Sequence, residues 1–361
     1  MNELTESIRA FTKIITTRLK GKLFKLNFAI TYKCNSRCKM CNTWKQYIEK
    51  PWMLKKELEI EEIHQIFKGF GKLVWVSLTG GEPFLRDDIA DIVNSVRDNC
   101  QIKMLNITTN GLSSKLIEDR VRNIAEVKVP LTSINVSIDG PAQIHDYMRG
   151  IKGAYDSAVK TLEILNLLRD EYSNLLIGFE YTITSFNAGY LKLLIDELTK
   201  AKLSWVLENV TITLYHEGYL YNNLGPNSKQ QVTDEIFKFK ALKDINDGLN
   251  LAHVKSPLAL IKRTYLKCAR RYILDENIPL QCTAQRNSLF LNPYGDVYPC
   301  IILGHKIGNL RNYNYNVYEL LKSENALKVK YDIQNCNKCW SPCEAYPSIL
   351  THLSSLIKAC E

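Results

Sequence analysis

The chain has 361 residues, 45% hydrophobic and 24% charged, enough to bury one large core and a smaller domain beside it. Its 47 basic and 38 acidic side chains leave a net charge of +9, but no run of five or more like charges concentrates it, so no specific nucleic-acid partner is expected. Eleven cysteines without a charged-then-apolar leader, and no apolar stretch of the ~18 residues a membrane span needs, exclude disulfide-rich secreted and membrane-spanning classes and point to metal in a reducing cytoplasm.

The first 24 residues place Ile8, Phe11, Ile14, Ile15 and Leu19 on one helical side, with Arg9, Lys13, Arg18, Lys20 and Lys22 mostly elsewhere. Packing of this basic amphipathic helix on its own domain is preferred to contact with a membrane surface, although a lipid-linked substrate stays in play. Strands follow near 26–32, 73–79, 103–109, 132–138, 174–183 and 208–215, with helices near 56–70, 86–98, 113–124, 153–170 and 188–201 between them. Repeated βα units predict a parallel sheet with right-handed crossovers. A helical linker over 231–275 and a separate unit over 276–361 complete the expected organisation, after a segment 1–24 and a core 25–230.

Chemistry is marked at the strand ends. Directly after the first strand come Cys34, Cys38 and Cys41, thiolates spaced to converge on one iron–sulfur cube while leaving one iron without a protein ligand. An open metal position is where a substrate or cofactor binds. A structural zinc knuckle is the competing reading of the triplet alone. After the second strand stands Thr79-Gly80-Gly81-Glu82-Pro83, whose glycines allow close backbone approach to a ligand. The third strand ends in Asn110-Gly111 and the fourth in Ser137-Ile138-Asp139-Gly140, followed by His145-Asp146-Tyr147-Met148-Arg149-Gly150.

Together these motifs resemble the radical SAM superfamily, with its Cys-x3-Cys-x2-Cys signature carrying a large apolar residue, here Met40, before the last cysteine. The resemblance implies an incomplete, TIM-like (βα)6 barrel, an α/β fold open on one side, with chemistry at the carboxyl ends of its strands. It implies a [4Fe–4S] cluster on Cys34, Cys38 and Cys41, and S-adenosylmethionine (SAM) contacts from Met40, Gly80, Gly81, Glu82, Ser137, Asp139 and Arg149. For Asp139 a plain turn former ahead of glycine is an equal reading. Farther along, Glu180 on the fifth strand and Tyr215, His216 and Glu217 after the sixth are candidates for substrate contact.

Near the C-terminus, two short apolar runs around Asn292-Pro293-Tyr294-Gly295 read as a β-hairpin, and a helix is expected near 316–328. Cys282 and Gly295-x4-Cys300, with Cys336-x2-Cys339 later, resemble the SPASM extension or its shortened Twitch form, a small α+β unit holding an auxiliary cluster. These four thiolates match one auxiliary [4Fe–4S] cluster, with structural zinc as the alternative. The chain departs from the seven-cysteine SPASM pattern: only Cys343 and Cys360 remain beyond Cys339, and with Cys268 they offer no supporting spacing for a second cluster.

The resemblance implies reductive cleavage of SAM to a 5′-deoxyadenosyl radical, hydrogen abstraction from a substrate, and net oxidation or bond formation aided by the auxiliary cluster. It implies a small-molecule or peptide substrate and an electron donor such as ferredoxin or flavodoxin. A small carbohydrate or lipid head group is slightly preferred to a ribosomal peptide, because only about 24 residues precede the first strand. The alternative from another class is a non-catalytic iron–sulfur or zinc protein on the same scaffold.

Overall fold

A computed structural model describes residues 23–218, 235–251 and 257–352. The expected N-terminal helix and Cys360 lie outside the described residues. Six parallel strands, β1 Lys25–Thr31, β2 Trp75–Gly80, β3 Met104–Thr109, β4 Leu131–Ser137, β5 Leu175–Ile183 and β6 Thr211–Leu214, follow one another in sheet order. Helices Ile60–Phe70, Ile89–Asn99, Ser114–Glu126, Ala154–Glu171 and Leu191–Lys200 connect them. The sheet curls as an open βα barrel and does not close.

Side-chain alternation explains why the strands sort into two layers. Leu26, Phe28 and Ile30 of β1, Leu105 and Ile107 of β3, and Ile134 and Val136 of β4 face the helices and form the main core. The intervening positions, among them Lys25, Asn27, Asn106, Ser133 and Asn135, face the lumen. A complete barrel fills this space with bulky branched side chains. Here the inward positions are mostly short and polar, and a cavity of about 300 Å³ remains.

Two features differ from the sequence expectation. The hairpin β7 Ser288–Leu291 and β8 Asp296–Tyr298 does not stand apart from the barrel, because β7 pairs in parallel with β1, Lys25 opposite Ser288, and so extends the barrel sheet. Its turn is set by Gly295 at φ +84° and by Asn292, whose Oδ1 accepts from the amides of Tyr294 and Asp296, both at 2.9 Å. The helix expected near 316–328 is two helices, Val317–Leu320 and Glu324–Gln334, because Ser323 starts the second one by accepting from the Ala326 amide at 3.2 Å.

Helices Glu235–Leu251 and Pro257–Asp275 pack on the sixth unit. A Cβ on Gly248 would stand 2.1 Å from Ile212 Cδ1, and Asp244 accepts from the Gly189 and Leu191 amides at 2.8 and 3.2 Å. Among the described residues no helix is long and apolar enough to cross a membrane.

Candidate functional site

The cysteine loop is held from two sides by backbone. From the β2 end, the amides of Gly81 and Glu82 donate to Thr31 and Lys33 carbonyls, both at 2.8 Å. Glycine is required there: a Cβ on Gly80, at φ +134°, would lie 2.0 Å from Thr31 O, and one on Gly81 would lie 2.3 Å from Lys33 O. From the other side, the end of helix Ala142–Arg149 serves as a template, accepting from the Arg37 amide at Arg149 O (3.0 Å) and from the Lys39 amide at Met148 O (2.7 Å). Cys34 and Cys41 are half-buried and Cys38 is buried, and all three line the mouth of the lumen.

Each thiol has polar neighbours. The Ser36 amide approaches Cys34 Sγ at 3.4 Å and the Asn110 amide group at 3.9 Å, Ser36 Oγ lies 3.1 Å from Cys38 Sγ, and Thr43 N stands 3.5 Å from Cys41 Sγ. Burial, with the neighbouring thiols adding, pushes Cys34 up to about 12. Met40 packs behind the loop with Met148 and Tyr215.

Arg149 reaches into this cluster. Its guanidinium is buried, donates to Asp139 Oδ2 at 2.5 Å, lies 3.7 Å from Cys38 Sγ, and leaves Nε without a partner among the described residues. Burial would lower its pKa, but the Asp139 charge outweighs it and the group is held protonated. Asp139 is itself braced by the Thr182 amide at 3.0 Å, while Asn187 Nδ2 donates to its carbonyl at 2.8 Å. His145 accepts from the Asp139 amide at 3.0 Å, and burial followed by the nearby Arg149 charge keeps it neutral.

Glu82 sits apart from the cavity wall. Its carboxylate accepts from Thr109 Oγ1 at 2.8 Å, the Asn110 amide at 2.7 Å and the Phe84 amide at 3.3 Å, which ties the ends of β2 and β3 together. Burial outweighs these bonds and raises its carboxyl to about 7. In the unfolded chain it ionises near 4.5, so its contribution to stability is fully present below that pH and is lost as pH rises through about 7. The urea midpoint of the unloaded protein is expected to fall between pH 5 and pH 7 relative to Glu82→Gln; parallel pH dependences in the two proteins would refute this.

Ser137, Arg149, Gly80 and Gly81 line the same cavity as the three cysteines, as do Glu180 and His216. Glu180 accepts from Thr108 Oγ1 at 3.1 Å, and burial raises its carboxyl. His216 accepts from the Trp340 amide at 3.1 Å, and burial lowers it to about 4, so it is a neutral clasp between barrel and C-terminal unit. Tyr215 packs in the apolar cluster behind the loop, and Glu217 is exposed beside it. Sequence reasoning passed over Lys25, buried at the start of β1; its one signal is the alternation of Lys25 and Asn27 with Leu26 and Phe28.

The later cysteines lie within electrostatic reach of one another. Burial, with Glu344 adding its charge, raises Cys282 and Cys300 well above the ordinary thiol value, and burial takes Cys339 to about 12. Cys336 is half-buried beside Cys339 and adds its charge to it. The segment is pinned to the barrel by Trp340, stacked on Tyr265 at 6.1 Å with its Nε1 donating to Tyr265 O at 3.1 Å. Cys343 faces the lumen, and its carbonyl accepts from Lys25 Nζ at 2.7 Å. Among the described residues, no three His, Cys, Asp or Glu side chains are gathered closely enough to hold a single metal ion. The soft thiol donors of both sets fit iron–sulfur ligation.

Residues 28–187 match the radical SAM superfamily, and 282–340 match the SPASM iron–sulfur cluster-binding domain. Residues 28–187 thus form a radical SAM domain followed by a SPASM domain, a combination that indicates an enzyme. The first domain implies SAM and a [4Fe–4S] cluster as cofactors, and the second implies auxiliary iron–sulfur ligation. Among curated proteins, the GTP 3′,8-cyclase of Yersinia pestis is 33% identical over 180 residues, 46% of this chain and 52% of that protein. The corresponding enzyme of Cronobacter sakazakii is 30% identical over 162 residues, 43% and 49% respectively. The chain thus matches about half the length of these relatives. Among solved structures, anSMEcpe with bound AdoMet superposes with a TM-score of 0.57 at 14% identity, over 93% of this chain and 99% of that one. Streptococcus suis SuiB bound to S-adenosylmethionine gives 0.53 at 16%, over 88% and 69%. At such identities these two show the fold.

Proposed function

We propose that Cys34, Cys38 and Cys41 hold the SAM-binding [4Fe–4S] cluster, and that Gly80, Gly81, Ser137 and Arg149 bind SAM, with Met40, Glu82 and Asp139 supporting them from behind. The observation that carries this reading is the convergence of the three thiols and those strand ends on one cavity that continues into a polar lumen. When bound, the cluster supplies an electron to the SAM sulfonium, and the resulting 5′-deoxyadenosyl radical removes a hydrogen atom from the substrate. The Arg149 guanidinium, fixed by Asp139, lines the cavity as a cation for an anionic group such as the SAM carboxylate.

We infer one auxiliary [4Fe–4S] cluster on Cys282, Cys300, Cys336 and Cys339, the four cysteines within the matched SPASM segment. Four thiolates closing such a cluster suit acceptance of an electron from a substrate radical, giving net oxidation or bond formation. Cys343 faces the lumen instead and is left out of that set. An external one-electron donor such as ferredoxin or flavodoxin completes the scheme. The relatives' names point to a nucleotide, and the titles of other solved neighbours to peptides, as in SuiB bound to precursor peptide SuiA; both are substrate classes to test here.

Anaerobic reconstitution with iron and sulfide, followed by iron counting and assay of 5′-deoxyadenosine from SAM under a strong reductant, tests the reading. About eight irons per chain with 5′-deoxyadenosine formed is expected from two [4Fe–4S] clusters. Four irons with turnover would remove the auxiliary cluster, and full loading without 5′-deoxyadenosine would restore the non-catalytic alternative.

A further inference from the structure

The positive charge of the chain is unevenly spread. Residues 33–56 hold seven basic side chains and one acidic one, a net +6 of the chain's +9. Lys33, Arg37 and Lys39 are exposed on the cysteine loop, and Lys50, Lys55 and Lys56 are exposed on the short helix Gln46–Glu49 and the 3₁₀ turn Pro51–Lys56 that follow it. Among the described residues none of these six forms an ion pair, unlike Lys115, Lys192, Lys322 and Lys328 on other helices, each paired with a carboxylate of its own helix or turn. Glu57, the next carboxylate along the chain, is turned onto the Tyr32 amide at 2.9 Å. Between the lysines, Ile48, Trp52 and Leu54 are 59, 58 and 41% exposed. Trp44 ties this surface to the cysteine loop: its Nε1 donates to Cys38 O at 3.3 Å, and Arg37 and Lys45 lie over its ring at 5.1 and 5.4 Å.

We propose that residues 33–56 form the docking surface for a small acidic protein that donates single electrons from a flavin or iron–sulfur group. The proposal deepens the radical SAM reading above and rests on it. Unpaired cations steer an acidic partner from a distance and set its orientation, while a few exposed apolar side chains supply the dry centre of a protein interface inside a polar rim. Electron-transfer encounters bury little surface, so a patch of this size suffices. The same segment carries Cys34, Cys38 and Cys41, so a protein seated on it stands beside the place the electron must reach. One electron leaves the reduced group of the donor, which is oxidised by one, and enters the cluster, which is reduced by one; no atom is transferred. A nucleic acid would engage the lysines but leave Ile48 and Leu54 in water, and a lipid surface would have no electron to give.

The test uses cluster-loaded protein with SAM, an acidic flavodoxin in its fully reduced form as the probe, and dithionite as the small reductant for comparison. In a triple variant, Lys50→Glu with Lys55→Glu and Lys56→Glu, the flavodoxin concentration giving half-maximal 5′-deoxyadenosine formation is expected to rise about tenfold or more, and in Trp52→Ala about threefold or more, with the dithionite-driven rate unchanged in both. Lys→Gln at the same three positions replaces the triple variant if its iron content falls. Raising salt from about 50 to about 500 mM is expected to weaken flavodoxin use by the unsubstituted protein and to affect the triple variant little. Calorimetric titration with oxidised flavodoxin is expected to show the same losses of affinity without turnover. That titration judges the docking surface even if dithionite yields no 5′-deoxyadenosine, the result that would sink the radical SAM reading instead. No saturable flavodoxin binding, an unchanged flavodoxin dependence in both variants, or equal losses with both reductants overturns the proposal. Binding to phosphatidylglycerol vesicles that is lost in the triple variant while flavodoxin use is unchanged also overturns it and assigns the surface to a membrane.

Discussion

Replacing Asp139 with Ala is expected to destabilise the chain by about 3–5 kcal/mol, the cost of leaving a buried cation without its counter-charge. Asp139 is fully buried, its partner Arg149 is 7% exposed, and their 2.5 Å contact lies where β4, β5 and the cysteine loop meet. Loss of the carboxylate also frees the Thr182 amide. The same side chain supports the helix end on which the Arg37 and Lys39 amides are pinned, so retained iron is expected to fall together with the urea midpoint. A midpoint shift below about 1 kcal/mol, the range of an exposed ion pair, would mean that the guanidinium finds water or another partner.

The second large effect is on chemistry. Cys38→Ala is expected to reduce 5′-deoxyadenosine formation to background and to lower iron by about four atoms per chain, one cube. Cys38 is the buried member of the three, with Ser36 Oγ and Arg149 both against its sulfur, so no outside thiol replaces it easily. Undiminished SAM cleavage in this variant would rule out the proposed ligation. Cys336→Ala provides the contrast: iron is expected to fall while 5′-deoxyadenosine formation persists, because Cys34, Cys38 and Cys41 line the cavity and Cys336 does not.

Much of the barrel was legible because its signals are local. Alternating and helical periods located six strands and five helices within a few residues, and glycine-containing motifs fell at strand ends where backbone approaches backbone, as at Gly80 and Gly81. The cysteine triplet was legible for the same reason, as its spacing lies within one loop. The division of the C-terminal unit from the barrel was less so. Parallel pairing of β7 with β1 joins residues more than 250 positions apart, and a four-residue strand carries no mark of its partner.

Sequence by itself determined the family, the nine named cysteines in described segments and the order of elements, since each is written in short motifs and periodicities. Tertiary structure alone decided which motif residues face the cavity and which brace it. Glu82, Asp139 and His145 sit in or beside strand-end motifs, yet the carboxylates of the first two and the Nδ1 of the third are engaged by Thr109, Asn110, Arg149 and the Asp139 amide. Lys25 and Trp75 lie in apolar-looking strand starts, yet they line the lumen. The reason is physical: a residue's type fixes the bonds it can make, but burial and the competition among neighbours in three dimensions fix which of those bonds remain for a ligand.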